Sequence, residues 1–160
     1  MFNLVNFKKF GNRIFSIDES GNKFTYNNLV KSIKEFTGLF QFNDEKLSVL
    51  VAENSYSFLV IYFANLISKS KIIILHPNYF DSNYSMIIKN YKPDYIFIPT
   101  NFIKEKDFTS NLDKKEIFDE YTIFCFVRKK NSINRELAVM LPTSGSLNKP
   151  KFVCLSYENL

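Results

Sequence analysis

Three short apolar runs separated by helix-length stretches constrain this chain more than any other feature. Leu47 to Ala52, Ile72 to Leu75 and Tyr95 to Ile98 are brief, branched or aromatic, and bounded by turn formers. Each reads as a strand buried on both faces. Between them, Phe58 to Ile67 is apolar nearly all round, so it reads as a helix buried on most faces, with Ser55 as its N-cap. Ser82 to Tyr91 reads as a further helix. Strand, helix, strand, helix, strand is the pattern of repeated βαβ units. The expected fold class is therefore α/β, a mainly parallel sheet with helices on both faces.

The flanking segments extend this pattern. Arg13 to Asp18 alternates and ends at the turn Glu19-Ser20-Gly21-Asn22, so it forms a hairpin with a strand starting near Lys23. Thr25 then caps an amphipathic helix over 26–41, with Tyr26, Leu29, Val30, Ile33, Phe36 and Phe40 at helical spacing. Residues 100–120 are polar and read as a short helix and loops. Tyr121 to Val127, Leu137 to Leu141 and Phe152 to Leu155 read as strands, with Asn131 to Glu136 a polar connector. Ser156 reads as the N-cap of a helix that has barely begun. There is no internal repeat and no low-complexity linker.

Composition narrows the chemistry. A chain of 160 residues, 46% hydrophobic and 23% charged, fits one globular domain, with 18 Phe and 9 Tyr as core filler. The net charge of +5 comes in short basic clusters with acids nearby, as where Lys104 and Lys106 flank Glu105. That favours a solvated mixed-charge surface over a nucleic-acid patch. Cys125 and Cys154 lie in apolar runs and read as buried free thiols of a cytoplasmic protein, with no signal peptide ahead of them. No metal site is expected, because the single histidine, His76, has no cysteine or acid at ligand spacing. Before a proline at a strand end, His76 reads as structural. No membrane span is expected: Asn65, Lys69 and Lys71 interrupt the apolar stretch, which falls short of the ~20 residues a span needs. With four glycines, GxGxxG and the Walker-type loop are both excluded, and there is no GxSxG elbow.

What remains is Thr143-Ser144-Gly145-Ser146-Leu147-Asn148-Lys149-Pro150-Lys151, between two apolar runs. Three hydroxyls and the backbone N–H groups can donate to phosphate oxygens. Gly145 lets the backbone turn and come close, and Lys149 and Lys151 add positive charge. Composition alone fits an ordinary turn equally well.

The order of residues separates the two readings. From Leu141 to Leu160 the chain resembles the signature of the adenylate-forming superfamily, which includes acyl-CoA synthetases, nonribosomal-peptide adenylation domains and firefly-type luciferases. That signature runs Thr-Ser-Gly-Ser-Thr-Gly-x-Pro-Lys-Gly-Val, followed by Ser-His-x-Asn-Leu. Thr143, Ser144, Gly145, Ser146, Pro150, Lys151, Val153, Ser156, Asn159 and Leu160 match it. Phe24-Thr25-Tyr26-Asn27-Asn28-Leu29 resembles the opening of an early helix of that family. Asn54-Ser55 and His76-Pro77-Asn78 resemble its Asn-Ser helix start and its Pro-Leu-Asn-Pro turn. The departures are Leu147 for Thr, Asn148 for Gly, Phe152 for Gly and Tyr157 for His.

The resemblance implies that residues 1–160 form the N-terminal α/β subdomain of an acid–thiol ligase, truncated after the phosphate-loop motif. The complete enzyme would use ATP and Mg2+ to convert a carboxylic acid to an acyl-adenylate, then pass the acyl group to coenzyme A or a carrier pantetheine. Thr143, Ser144, Gly145, Ser146 and Lys151 would hold the ATP phosphates. The family's later motifs supply its catalytic residues, so no catalytic residue is expected within this chain and it is expected to be inactive alone. Two other readings stand beside this one. One is a non-catalytic or degenerate relative that uses the domain for protein contacts, and the other is an unrelated flavodoxin-like domain with a fortuitous loop. A homodimer through apolar surface exposed by truncation is a further expectation.

Overall fold

A computed structural model describes residues 3–103, 112–127, 134–143 and 151–160. After a short helix α1 (Leu4–Lys8), strands β1 (Ile14–Ile17) and β2 (Lys23–Thr25) pair antiparallel as a separate small hairpin. Gly21, with φ of 82°, makes the turn between them. Thr25 then starts α2 (Tyr26–Leu39) through a reciprocal cap. Its Oγ1 accepts the Asn28 N–H at 3.2 Å, while Asn28 Oδ1 accepts the Thr25 N–H at 2.8 Å. Leu29, Val30, Ile33 and Phe36 form the buried stripe of α2, as their spacing predicts.

The βαβ core follows as β3 (Leu47–Val51), α3 (Tyr56–Ile67), β4 (Lys71–Leu75), α4 (Pro77–Tyr91) and β5 (Tyr95–Pro99). Ser55 caps α3 by accepting the Phe58 N–H at 3.2 Å. At its other end the Ser70 N–H reaches Asn65 O, and the Lys69 N–H reaches Leu66 O, which is a Schellman closure. Lys69 sits at the left-handed position of that closure with φ of 58°. A side chain is strained there, and Lys69 is exposed. Lys69→Gly should therefore stabilise the protein by about 0.5–1 kcal/mol, read as a raised urea midpoint at unchanged slope. A lowered midpoint would show that the strain is absent.

α4 corrects the sequence reading. It begins at Pro77, not near Ser82, because His76 Nδ1 accepts the Asn78 N–H at 3.2 Å and Pro77 occupies the first helical position. Proline there preorganises a helix, although in sequence it looks like a stop. His76 is thus a helix cap, in keeping with its structural reading.

The second correction concerns residues 100–120. Thr100–Phe102 is a single 3-10 turn, and Leu112–Phe118 is strand β6, where loops and a helix were expected. β6 pairs antiparallel with β7 (Tyr121–Phe126) through the tight turn at Asp119 and Glu120. Its charged run Asp113 to Glu116 hides the alternation, as suits an edge strand. Strands β8 (Leu137–Pro142) and β9 (Phe152–Ser156) complete a seven-stranded sheet in the order β6-β7-β5-β3-β4-β8-β9. Its centre, β5-β3-β4-β8, is parallel, and the outer strands are antiparallel.

Helices cover both faces. α2 and α3 pack on the face that presents Leu50, Ile72, Phe97 and Ile123. α4 packs on the face that presents Val49, Ile73, Ile96 and Phe124. Among the described residues no helix is long and apolar enough to cross a membrane. Cys125 is buried, and burial pushes its thiol up to about 11. Cys154 is exposed, contrary to expectation, because β9 is an edge strand that α4 does not fully cover. After Ser156 the chain makes a turn at Tyr157 and Glu158. Asn159 Oδ1 accepts the Ser156 N–H at 2.9 Å, the same contact Asn28 makes to Thr25.

Candidate functional site

β3, β4, β5 and β8 run parallel, so the residues that follow them gather at one end of the sheet. In open α/β sheets this carboxyl end is where ligands bind. The end of β8 and the start of β9 meet there. Pro142 pairs with Phe152, and the Thr143 N–H donates to Lys151 O at 2.9 Å. The Thr143 hydroxyl donates to the same carbonyl at 3.3 Å. Thr143 and Lys151 thus form the neck of a hairpin and face each other across it, both exposed. The structure brings these two predicted site residues together. Ser144, Gly145 and Ser146 lie outside the described residues, as do Leu147 and Asn148.

Below the neck, Phe152 is an anchor. Its ring meets Tyr91 edge-on at 5.3 Å and Tyr79 at 6.4 Å, both from α4. These contacts tie the start of β9 to the helix that follows β4. A phenylalanine at the position of the signature's third glycine therefore serves packing here. Its side chain packs into the sheet–helix interface.

A second concave feature lies at the same end of the sheet, over β3. A cleft of about 550 Å³ is lined by Asp18, Glu19, Phe24, Tyr56, Asp119 and Glu120, with serines between them. Sequence reasoning missed it because its walls come from the β1–β2 turn, the start of α3 and the β6–β7 turn. The last of these closes a strand that the sequence did not reveal. Phe24 and Tyr56 stack within it at 3.9 Å and 8°. Among the described residues no three His, Cys, Asp or Glu side chains gather closely enough to hold a metal ion.

No family model and no curated protein sequence matches the chain. Solved structures do. The luciferase-like enzyme of the nonluminescent mealworm Zophobas morio superposes with a TM-score of 0.65 at 17% identity, over 96% of this chain and 41% of that one. An E. coli MenE variant with bound OSB-AMS gives 0.63 at 14% identity, over 97% and 34%. A four-domain nonribosomal peptide synthetase bound to AMP and glycine gives 0.61 at 14% identity, over 96% and 11%. The chain shares its fold with the matching part of these three enzymes. This chain spans less than half the length of each of these proteins. Within the shared fold, Thr143 and Lys151 meet across the β8–β9 pair at the carboxyl end of the parallel strands.

Proposed function

We propose that this chain is the N-terminal α/β subdomain of an ATP-dependent acid–thiol ligase, and that its β8–β9 hairpin grips the nucleotide phosphates. One observation carries this reading. In a fold shared with adenylate-forming enzymes, Thr143 and Lys151, at the two ends of the signature-like loop, meet at the ligand-binding end of the sheet. Lys151, exposed at the hairpin neck, offers a cation to a phosphate oxygen. Ser144, Ser146 and the backbone around Gly145 would supply further donors. The Thr143 hydroxyl holds the neck closed through the Lys151 carbonyl, so its part is to shape the loop.

Lys151, exposed at the neck, suits a phosphate group, and Mg2+ would accompany the nucleotide phosphates. ATP supplies the activating phosphoryl chemistry when bound. This chain's residues would orient its phosphates and balance their charge. Coenzyme A or a carrier pantetheine would take the acyl group in the complete enzyme. The reading places the protein in the cytoplasm and expects no adenylation by these 160 residues alone.

A non-catalytic relative is the second reading. It draws on Leu147 and Asn148, which lack the hydroxyl and the glycine of the signature, and on the packing role of Phe152. The test is nucleotide binding by the chain and by a Ser144→Ala, Ser146→Ala, Lys151→Ala variant, followed with a fluorescent ATP analogue. Loss of three donors, one of them charged, should weaken binding at least about tenfold, or ~1.4 kcal/mol. Equal affinity in both proteins would remove the hairpin from the site. Absence of binding in both would favour the non-catalytic reading. ATP–pyrophosphate exchange by the chain itself would refute the expectation that it is inactive alone.

A further inference from the structure

From Val5 to Ile14 the chain carries more apolar surface than its packing uses. Phe7 faces inward, its ring edge-on to Phe63 at 5.2 Å. Phe15 does the same, 5.9 Å from Phe63 and 5.2 Å from Tyr26. These two rings hold α1 and β1 against α2 and α3. Val5, Phe10 and Ile14 stay outside, at 66%, 42% and 49% exposure. Phe10 rests against the Tyr26 ring at 4.7 Å, which orients it without covering it. Apolar residues scattered singly over a surface are ordinary, whereas three gathered in so short a segment mark a contact surface.

The charge around them has one sign. Lys8, Lys9 and Arg13 stand in the same segment, all exposed. Met1 to Ile17 contains no Asp or Glu, so the mixed charge found elsewhere in the sequence is absent here. Among the described residues none of the three bases forms an ion pair. Asp18 and Glu19, the next acids in sequence, belong to the β1–β2 turn at the far end of β1. Val5, Lys8 and Lys9 share one face of α1, at i, i+3 and i+4. The surface is also preformed. Gly11, with φ of 53°, turns the chain, and its carbonyl accepts the Asn27 N–H at 3.0 Å. The Arg13 N–H closes on Phe10 O at 3.0 Å, and Arg13 O accepts the Tyr26 N–H at 3.1 Å. Backbone already fixed in this way loses little freedom on binding.

Apolar side chains interleaved with unpaired cations, on a segment without acids, complement a bilayer whose headgroups are anionic. A single-stranded nucleic acid would also meet the cations. It stacks on aromatic faces, however, and the aliphatic Val5 and Ile14 offer it none. We propose that the α1–β1 face is a peripheral docking surface for an anionic membrane. Headgroup phosphates and carboxylates would meet Lys8, Lys9 and Arg13, whose stems lie along the interface. Val5, Phe10 and Ile14 would enter the boundary between headgroups and acyl chains. The protein would lie on the bilayer without crossing it, in keeping with the lack of a spanning helix among the described residues. None of these residues belongs to the β8–β9 hairpin, so docking does not depend on nucleotide binding.

The test is cosedimentation at low salt with vesicles of phosphatidylcholine and phosphatidylserine, mixed about two to one, and with vesicles of phosphatidylcholine alone. Binding to the mixed vesicles is expected, and binding at least about tenfold weaker to the neutral ones. A Lys8→Gln, Lys9→Gln variant removes two cations from the face, and a Val5→Ser, Ile14→Ser variant removes two apolar side chains. Each should weaken binding at least about tenfold. A Lys34→Gln, Lys89→Gln variant makes the same change of charge on α2 and α4 and should bind within about twofold of the unchanged chain. All six substituted side chains are exposed, and circular dichroism checks that each variant folds. Absence of binding to the mixed vesicles overturns the proposal, as does equal weakening in the Lys34, Lys89 variant. Unchanged binding by the Val5, Ile14 variant overturns it too, since the contact would then be adsorption of a cation. Tighter binding to an oligothymidylate than to the vesicles, lost in the Lys8, Lys9 variant, would assign the face to nucleic acid instead. If the Val5, Ile14 variant fails to fold, Val5→Ser alone replaces it, and unchanged affinity there overturns the proposal.

Discussion

Phe36→Ala should lower the free energy of unfolding by about 3–5 kcal/mol. Phe36 is fully buried on α2. Its ring is surrounded by those of Phe118 at 4.7 Å, Phe40 at 5.3 Å, Phe42 at 5.5 Å and Phe97 at 5.7 Å. These neighbours come from β6, the end of α2, the segment after it and β5. Truncation removes the one ring that touches all of them. Rigid aromatic neighbours anchored on separate elements cannot collapse into the space, so the cavity cost adds to the lost burial. Phe36→Leu keeps most of the volume and should cost less than about half as much. Urea unfolding of both variants provides the check. Equal, small losses would mean that the cluster relaxes and that α2 is less firmly seated than its contacts indicate.

The second large effect is at the opposite end of the sheet from the hairpin. Asp94, almost fully buried, precedes β5 and ties its start to β3 and β7. Its carboxylate accepts Lys46 Nζ at 2.9 Å and the Leu47 N–H at 3.0 Å. Its backbone N–H donates to Leu47 O at 2.7 Å, and its carbonyl accepts the Phe126 N–H at 2.9 Å. Asp94→Ala leaves the Leu47 N–H without its partner and Lys46 without its counter-charge. Lys46 keeps a side-chain exposure of 31%, so water recovers part of the loss. The expected cost is about 3 kcal/mol, and Asp94→Asn should cost about half of it by retaining an acceptor. A loss below about 1 kcal/mol for the alanine variant would show that water replaces the carboxylate freely.

The parts of the fold that were legible in the sequence are those where local and tertiary preferences agree. Leu47 to Val51 and Tyr95 to Pro99 are buried on both faces, so their apolar runs carry the signal directly. The capped starts at Thr25 and Ser55 were legible because the capping residue stands directly before the helical pattern. Misreadings fell where tertiary pairing overrides local pattern. Lys114 and Lys115 belong to a strand only because β7 pairs with them. Pro77 opens a helix only because His76 caps it. For the candidate site, the hairpin was visible in contiguous residues. The acidic cleft was not, because Asp18 and Asp119 meet only after the small β1–β2 hairpin docks beside the sheet.

The parallel seam between β4 and β8 has a consequence for how the chain folds. β3, α3, β4, α4 and β5 are consecutive, and each contact among them closes a short loop. The pairing of Ile72 with Val139 and of Ile73 with Met140 joins positions far apart in sequence, across the whole β5–β7 excursion. Loop closure of that length must be completed before the pairing returns any hydrogen bond. The β8–β9 hairpin is therefore a late arrival on a preformed βαβ platform. Its amides should exchange with solvent at a lower opening free energy than those of β3. The segment that resembles a phosphate grip thus joins two strands that should open more readily than the centre of the sheet.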